Sequence, residues 1–115
     1  MASDAKRVVD RYFSALRAKD FETMRTLLTD DVSFVGPLGT TDGVDEYIDA
    51  MKRVTAHMTG VERRVLFGED EHVCQVYDLT TSKPPVTITV VQWLTVREGR
   101  IATVRLFFDP RPYLA

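Results

Sequence analysis

The feature that most constrains the fold of this chain is a change in the spacing of its apolar residues near Gly60. Before this point apolar residues recur at the 3.6-residue period of an amphipathic helix, and beyond it they alternate as in a half-buried strand. Helices come first and antiparallel strands last, which favours an α+β fold over an alternating α/β fold. A length of 115 residues predicts a single domain spanning residues 1–115.

Three helical segments are predicted in the first half of the chain. The apolar stripe of the first consists of Val8, Val9, Tyr12, Phe13 and Leu16. Asp20 is the expected N-cap of a second, shorter helix ending at residues 29–31, because a carboxylate accepts from the free amides of a first helical turn. A strand is predicted at residues 32–36, and a third helix opens at Gly43 and ends near Gly60.

Four strands are predicted in the second half, at residues 61–67, 73–80, 86–97 and 100–108. In the strand at 86–97, one face is apolar except for Gln92, so this face is expected to point toward the helices. In the last strand the corresponding face carries Ala102, Val104, Leu106 and Phe108. For the strand at 73–80 two inner sets stay open: Val73, Gln75, Tyr77 and Leu79, or Cys74, Val76 and Asp78.

Gln92 is predicted to be a lone polar side chain on an apolar inner face. A buried amide without a partner costs about 1–3 kcal/mol, so Gln92 needs a hydrogen bond. Its partner is expected to be a backbone group, Tyr12, Gln75, Tyr77, a water or a ligand. A satisfied core glutamine and a glutamine that orients a ligand fit the pattern equally well.

Charge and composition exclude several classes of function. A formal net charge of −2 and a pI near 5.6, with acids and bases interspersed, argue against nucleic acid or an anionic membrane as partner. Charges interrupt residues 1–20, so no signal peptide is expected there, and no apolar run approaches a membrane span. The single cysteine, Cys74, is read as a small buried strand residue. A cytoplasmic location is predicted.

Several runs of the chain resemble the nuclear transport factor 2-like superfamily, which includes ketosteroid isomerase and the SnoaL-like polyketide cyclases. The opening resemblance lies in residues 8–16, 19–21, 27–28 and 30–34, and the closing one in residues 99–101 and 105–112. The resemblance implies three N-terminal helices packed across a strongly curved mixed sheet, forming a cone with an apolar cavity, commonly as a dimer. It indicates the fold more specifically than the function, because this superfamily hosts enzymes, binders and dimerisation modules.

The resemblance also implies roles for individual residues. Tyr12 falls where ketosteroid isomerase keeps the tyrosine that donates to the developing oxyanion, and Gln92 falls where that enzyme holds a protonated aspartic acid as second donor. An amide can also donate a hydrogen bond, so the resemblance implies that Gln92 takes the place of the acid as the second oxyanion donor. The general-base aspartate of that enzyme aligns with Gly36, which cannot accept a proton. Steroid-type isomerisation through that base is therefore not expected.

With Gly36 at the position of the base, the resemblance to SnoaL-like proteins implies Asp109 as the acid/base residue. The alternatives are that it caps a short turn before Pro110 or pairs with Arg105 or Arg111. The sequence contains two histidines. His57 is expected near the end of the third helix, and His72 is expected to be exposed at the start of a strand. No spacing supports a metal site, and no cofactor is expected.

The leading hypothesis is a SnoaL-like pocket protein that binds a small, mostly apolar carbonyl compound, such as a polyketide or a steroid-like ring. Tyr12, Gln92 and Tyr77 would orient a ligand oxygen, and cofactor-independent isomerisation, cyclisation or hydration would use Asp109. The predicted walls are Phe13, Leu16, Phe34, Tyr47, Met51, Ile88, Val90, Leu94, Val104, Leu106 and Phe108. The alternative is a non-catalytic binding or dimerisation module, which forms a homodimer through outer-face Val91, Trp93 and Phe107.

Overall fold

Helices and strands follow one another in the order that the change of period predicts, with one hairpin inserted. The computed structural model describes the backbone of residues 2–114 and the side chains of residues 4–114. The helices are α1 (Ala2–Ala18), α2 (Phe21–Thr26) and α3 (Val44–Thr55), and a short 3₁₀ turn lies at Arg111–Tyr113. The strands are β1 (Leu28–Gly36), β2 (Gly39–Asp42), β3 (Met58–Glu69), β4 (His72–Ser82), β5 (Pro85–Arg97) and β6 (Arg100–Phe107).

All six strands form one mixed sheet in the order β2-β1-β6-β5-β4-β3. The β1–β6 pair is parallel, whereas the other neighbours are antiparallel. The register shifts within β3, in the β1–β6 pair and beside Thr95, and bulges of this kind bend a strand and increase its twist. The sheet is therefore curved and unclosed, and the predicted α+β fold with a curved mixed sheet is confirmed.

The concave face of the sheet is covered by the apolar faces of the helices. On α1 the buried side chains include Val9, Tyr12, Phe13 and Leu16, as the helical stripe predicts. The buried face of α3 consists of Tyr47, Ile48, Met51 and Thr55. Burial of apolar surface on this scale is the main force that holds helices against a sheet. No helix within residues 2–114 is long and apolar enough to cross a lipid bilayer.

The Asp20 N-cap is confirmed, but α2 ends earlier than predicted. The Asp20 carboxylate accepts hydrogen bonds from Thr23 N at 3.1 Å and from Thr23 Oγ1 at 2.7 Å. Leu28 then belongs to β1, where it pairs with Ile101 of β6. The apolar periodicity predicts a helix that is too long. The strand partner of Leu28 lies about 70 residues away in sequence, so the residues around Leu28 do not indicate the pairing.

Two further boundaries differ from the sequence prediction for the same reason. Residues 39–42, to which the sequence pattern assigns no helix or strand, form β2, which pairs with β1 from Ser33↔Asp42 to Gly36↔Gly39. The helix predicted to end near Gly60 ends at Thr55, and Met58 already pairs with Thr81 across β3 and β4. In both places pairing with another strand overrides the local pattern.

The structure settles which face of β4 points inward. Val73, Gln75 and Tyr77 are buried, so the first of the two open alternatives is confirmed. On β5 the set that includes Ile88, Val90, Gln92, Leu94 and Val96 is buried, as predicted. Gln75 lies directly opposite Gln92 in the β4–β5 register, so Gln92 is not a lone polar side chain.

Candidate functional site

A cavity of about 480 Å³ lies between the helices and the concave face of the sheet. Its apolar wall includes most of the residues that the sequence nominated, from α1, α3 and the sheet. These residues are Leu16, Phe34, Tyr47, Met51, Tyr77, Ile88, Val90, Leu106 and Phe108. The lining also includes the exposed side chains Leu38, Val54 and Lys83, so the cavity meets solvent on their side.

Phe13, Leu94 and Val104 were predicted to line the cavity but lie outside it. Leu94 and Val104 are cross-strand partners on β5 and β6, and both are completely buried in the core. The Phe13 ring packs against Tyr77 at a centroid distance of 5.8 Å, and the Arg63 guanidinium lies over it at 5.3 Å. Alternation assigns a residue to the inner face, but packing decides whether that residue fills the core or borders a cavity.

A buried polar cluster joins α1, α3 and the sheet at the inner end of the cavity. It consists of Tyr12, Tyr47, Gln92 and Gln75, none of which is exposed by more than 2%. The hydroxyls of Tyr12 and Tyr47 are hydrogen-bonded to each other, and Gln75 Nε2 donates to Gln92 Oε1 at 2.6 Å. Tyr12, Tyr47 and Gln92 border the cavity, whereas Gln75 lies behind Gln92.

Burial dominates the pKa values of the two tyrosines. Burial raises the pKa of Tyr12 to about 12, and hydrogen bonds with Tyr47 and Gln92 partly oppose this effect. Burial also raises the pKa of Tyr47 well above its ordinary value. Either hydroxyl of the Tyr12–Tyr47 pair can be the donor.

The Tyr12 proton has no strong acceptor other than Tyr47. When Tyr47 is the donor within the pair, the Tyr12 O–H is directed elsewhere. The acceptor within reach is Met51 Sδ, 4.0 Å away, and a thioether is a weak hydrogen-bond acceptor. A carbonyl oxygen in the cavity would be a better one, so Tyr12 is positioned to donate to a ligand.

Gly36, which the resemblance aligns with the general base of ketosteroid isomerase, has no side chain to place in the cavity. Gly36 borders the cavity, and a Cβ added to it would lie 3.0 Å from Phe34 Cζ and 3.6 Å from Leu106 Cβ. A side chain at position 36 would therefore meet the tip of the Phe34 ring. In the part of the chain that the structure describes, no aspartate or glutamate borders the cavity.

Asp109 lies outside the cavity lining and is exposed. Its carboxylate accepts from Arg111 Nη2 at 2.6 Å, from Arg111 Nε at 2.9 Å and from Arg111 N at 3.1 Å. These bonds hold the pKa of Asp109 below its ordinary value. The geometry is that of the cap and salt bridge to Arg111, which were the alternatives to an acid/base role.

Sequence reasoning missed polar groups on other parts of the lining. Thr41 Oγ1 on β2 and the Tyr113 hydroxyl are buried, and neither has a hydrogen-bond partner within the described part of the chain. Tyr113 packs edge-on against Phe108 at a centroid distance of 6.2 Å. No sequence pattern marks either residue, because both reach the cavity through the tertiary path of the β1–β2 hairpin and the C-terminal tail.

The two histidines lie in different surroundings. His57 follows α3 and borders the cavity, and its backbone carbonyl accepts from Ser82 N at 2.9 Å. His72 is at the start of β4 on the outer face, where its Nδ1 accepts from Trp93 Nε1 at 3.2 Å. Residues 4–114 contain no cluster of three or more histidine, cysteine or acidic side chains that could hold a metal ion.

The fold and the comparisons with known proteins define the class of this protein as nuclear transport factor 2-like. A nuclear transport factor 2-like structure from Cytophaga hutchinsonii is 25% identical, with a TM-score of 0.83 over 96% of this chain and 95% of that one. A crystal structure from Kribbella flavida is 26% identical, with a TM-score of 0.87 over 94% and 88% of the two chains.

Within this class the chain belongs to the SnoaL-like domain family. The model of the SnoaL-like domain matches residues 9–104, which is most of the chain. The chain is also similar to the sordarin/hypoxysordarin biosynthesis cluster protein G of Sordaria araneosa, with 27% identity over 96% of this chain and 84% of that protein. The resemblance inferred from the sequence is confirmed.

The hydrogen bond between Gln75 and Gln92 is expected to contribute to the stability of the fold. We expect Gln92→Leu to lower the free energy of unfolding by about 1–3 kcal/mol, because it leaves the Gln75 amide buried without a partner. Replacing both glutamines by leucine should recover much of this loss, since no buried amide then remains. Urea unfolding of the single and double variants measures both values. A double variant that loses the sum of the two single losses would contradict the pairing.

The raised pKa of Tyr12 predicts how the stability of the fold changes at alkaline pH. In the unfolded chain Tyr12 has its ordinary pKa of 10.0, whereas in the folded chain it is raised to about 12. Its contribution to stability is therefore fully present below pH 10 and is lost as the pH rises toward 12. We expect Tyr12→Phe to lose less stability over this interval than the wild type, by roughly 3 kcal/mol. Urea unfolding at several pH values tests this, and equal slopes in the two proteins would refute it.

Proposed function

We propose that the cavity binds a small, mostly apolar carbonyl compound, such as a polyketide or a steroid-like ring. The observation that carries the proposal is the buried Tyr12 hydroxyl at the cavity wall, whose neighbours within hydrogen-bond reach are Tyr47 and the weak acceptor Met51 Sδ. A ligand carbonyl at this point accepts from Tyr12 when Tyr47 is the donor within the tyrosine pair. The volume and the apolar wall fit a compound of a few fused rings.

The polar cluster is suited to polarising that carbonyl. Tyr47 and Gln92 are hydrogen-bonded to the Tyr12 hydroxyl, so the position of its oxygen is set before a ligand binds. Donors fixed in a water-excluded site stabilise developing negative charge on oxygen more strongly than water does. Tyr77 also borders the cavity, and burial raises its pKa, so at neutral pH it is a neutral hydroxyl as well.

The chemistry we propose for these residues is polarisation of the ligand carbonyl, a step shared by isomerisation, cyclisation and hydration, and it needs no cofactor. Tyr12 acts as hydrogen-bond donor, because its raised pKa keeps the hydroxyl protonated at neutral pH. Asp109 has no part in the proposal, since it is exposed and held by Arg111. The name of the Sordaria araneosa relative refers to a biosynthesis cluster, which supports a small molecule as the ligand.

Binding of a matched pair of probes tests the role of Tyr12. The first probe is the methyl ester of an acetylnaphthoic acid with its two substituents at opposite ends of the rings, and the second has ethyl in place of acetyl. We expect Tyr12→Phe to weaken binding of the acetyl probe about fivefold, the worth of one neutral hydrogen bond. Binding of the ethyl probe should not change. Isothermal titration calorimetry measures both affinities.

The ethyl probe controls for damage to the cavity. Equal losses for the two probes would show that Tyr12→Phe alters packing rather than removing a donor to the carbonyl. Absence of binding of either probe to the wild type would remove this ligand class from the proposal.

A second candidate function is a non-catalytic module that dimerises through the outer face of the sheet. It is favoured by the absence of a carboxylate from the described cavity lining and by the exposed Val91, Trp93 and Phe107. Val91 and Phe107 are direct neighbours on β5 and β6, and the Arg105 guanidinium lies 5.7 Å from the Trp93 ring centroid. Apolar patches of this kind on a sheet surface commonly mark a protein interface.

Sedimentation velocity at micromolar concentration tests the dimer. We expect the wild type to sediment as a dimer and Phe107→Glu as a monomer, because a charge in an apolar interface is costly. Leu114→Glu is the matched control: Leu114 is an exposed apolar residue outside the outer sheet face, and its replacement should leave the dimer intact. A monomeric wild type would exclude the dimer.

A further inference from the structure

The basic side chains that border the cavity have no acidic counterpart in its lining. Within the described part of the chain they are Arg53, His57 and Lys83, of which the arginine and the lysine are the two cations. This bias contrasts with the whole protein, which has a formal net charge of −2. The three side chains belong to exposed residues, whereas Tyr12 and Gln92 are buried. The cavity therefore has a neutral inner end and a basic mouth.

Two neighbouring segments bring these three residues to the mouth. Arg53 lies in the last turn of α3 and His57 follows one helical turn later, beyond the helical C-cap Ala56. The His57 carbonyl accepts from Ser82 N at 2.9 Å, which ties the turn between β4 and β5 to the end of α3. Lys83 is the next residue in that turn, so it lies beside the segment that carries His57.

The charges at the mouth are not neutralised by neighbouring acids. Within residues 4–114 neither Arg53 nor Lys83 makes an ion pair, although Arg25, Arg63, Arg64, Arg97 and Arg111 all do. The acid one turn before Arg53 on α3, Asp49, is exposed and makes no ion pair with it. Both cations at the mouth are therefore available to a ligand.

We infer that the ligand carries a carboxylate at the end remote from its carbonyl, so that it is an apolar keto acid. This inference rests on the proposed function and specifies its ligand class. The apolar body lies in the cavity with its carbonyl at Tyr12, and the carboxylate lies among Arg53, His57 and Lys83. The carboxylate stays at the solvent-exposed mouth, so binding does not incur the large cost of burying a charge.

A carboxylate suits the two cations, because a guanidinium and an ammonium both donate charge-assisted hydrogen bonds to carboxylate oxygens.

The free acid and methyl ester of the acetylnaphthoic acid test the inference. We expect the wild type to bind the acid about fivefold more tightly than the ester at low ionic strength, as two exposed cations allow. This preference should fall as salt is added, because salt screens exposed charges. The double variant Arg53→Gln/Lys83→Gln should bind the acid no more tightly than the ester. Arg100→Gln, an exposed cation outside the cavity lining, should behave as the wild type.

The outcomes separate this inference from the proposed function. If the ester binds through Tyr12 but the acid binds no more tightly, the inference is overturned and the proposed function stands. If the acid is preferred equally by the wild type and the double variant, the mouth is not the carboxylate site and the inference is also overturned. If neither compound binds to the wild type, both proposals fail.

Discussion

The bond between the Tyr12 and Tyr47 hydroxyls is the contact on which the site depends. It joins α1 to α3 over the sheet, and Gln92 of β5 adds the third element. Hydroxyls and amides buried this deeply must satisfy one another, because an unpaired polar group in the interior is costly. Their mutual bonding fixes the Tyr12 oxygen at the cavity wall. The contacts that join the helices to the sheet thus also place the candidate donor.

The wall of the cavity combines apolar side chains with hydroxyl groups. At Gly36 the backbone reaches the cavity without a side chain, and the tip of the Phe34 ring lies beside it. The described lining contains no carboxylate, and its basic side chains come from the end of α3 and from the turn between β4 and β5.

The candidate site was predictable where it depends on alternation and not where it depends on long-range pairing. The inward position of Gln92 follows from the pattern of β5, and the Asp20 cap follows from the chemistry of a helix start. Gln75 could be read only as one of two alternatives, because the apolar residues of β4 fit both faces. Thr41 and Tyr113 had no sequence signal, since each reaches the cavity only after the sheet and the tail have formed.

The sequence by itself determined the class of fold, the inward faces of α1 and β5, and the depth of Tyr12 and Gln92. These properties depend on local periodicity, which is set by backbone geometry along a single helix or strand. Only the tertiary structure decided that Leu94 is core and Ile88 is wall, that Gln75 pairs with Gln92, and that Lys83 stands beside His57. These contacts depend on the curvature and register of the whole sheet, which bring distant segments together. No periodic pattern in the sequence indicates them.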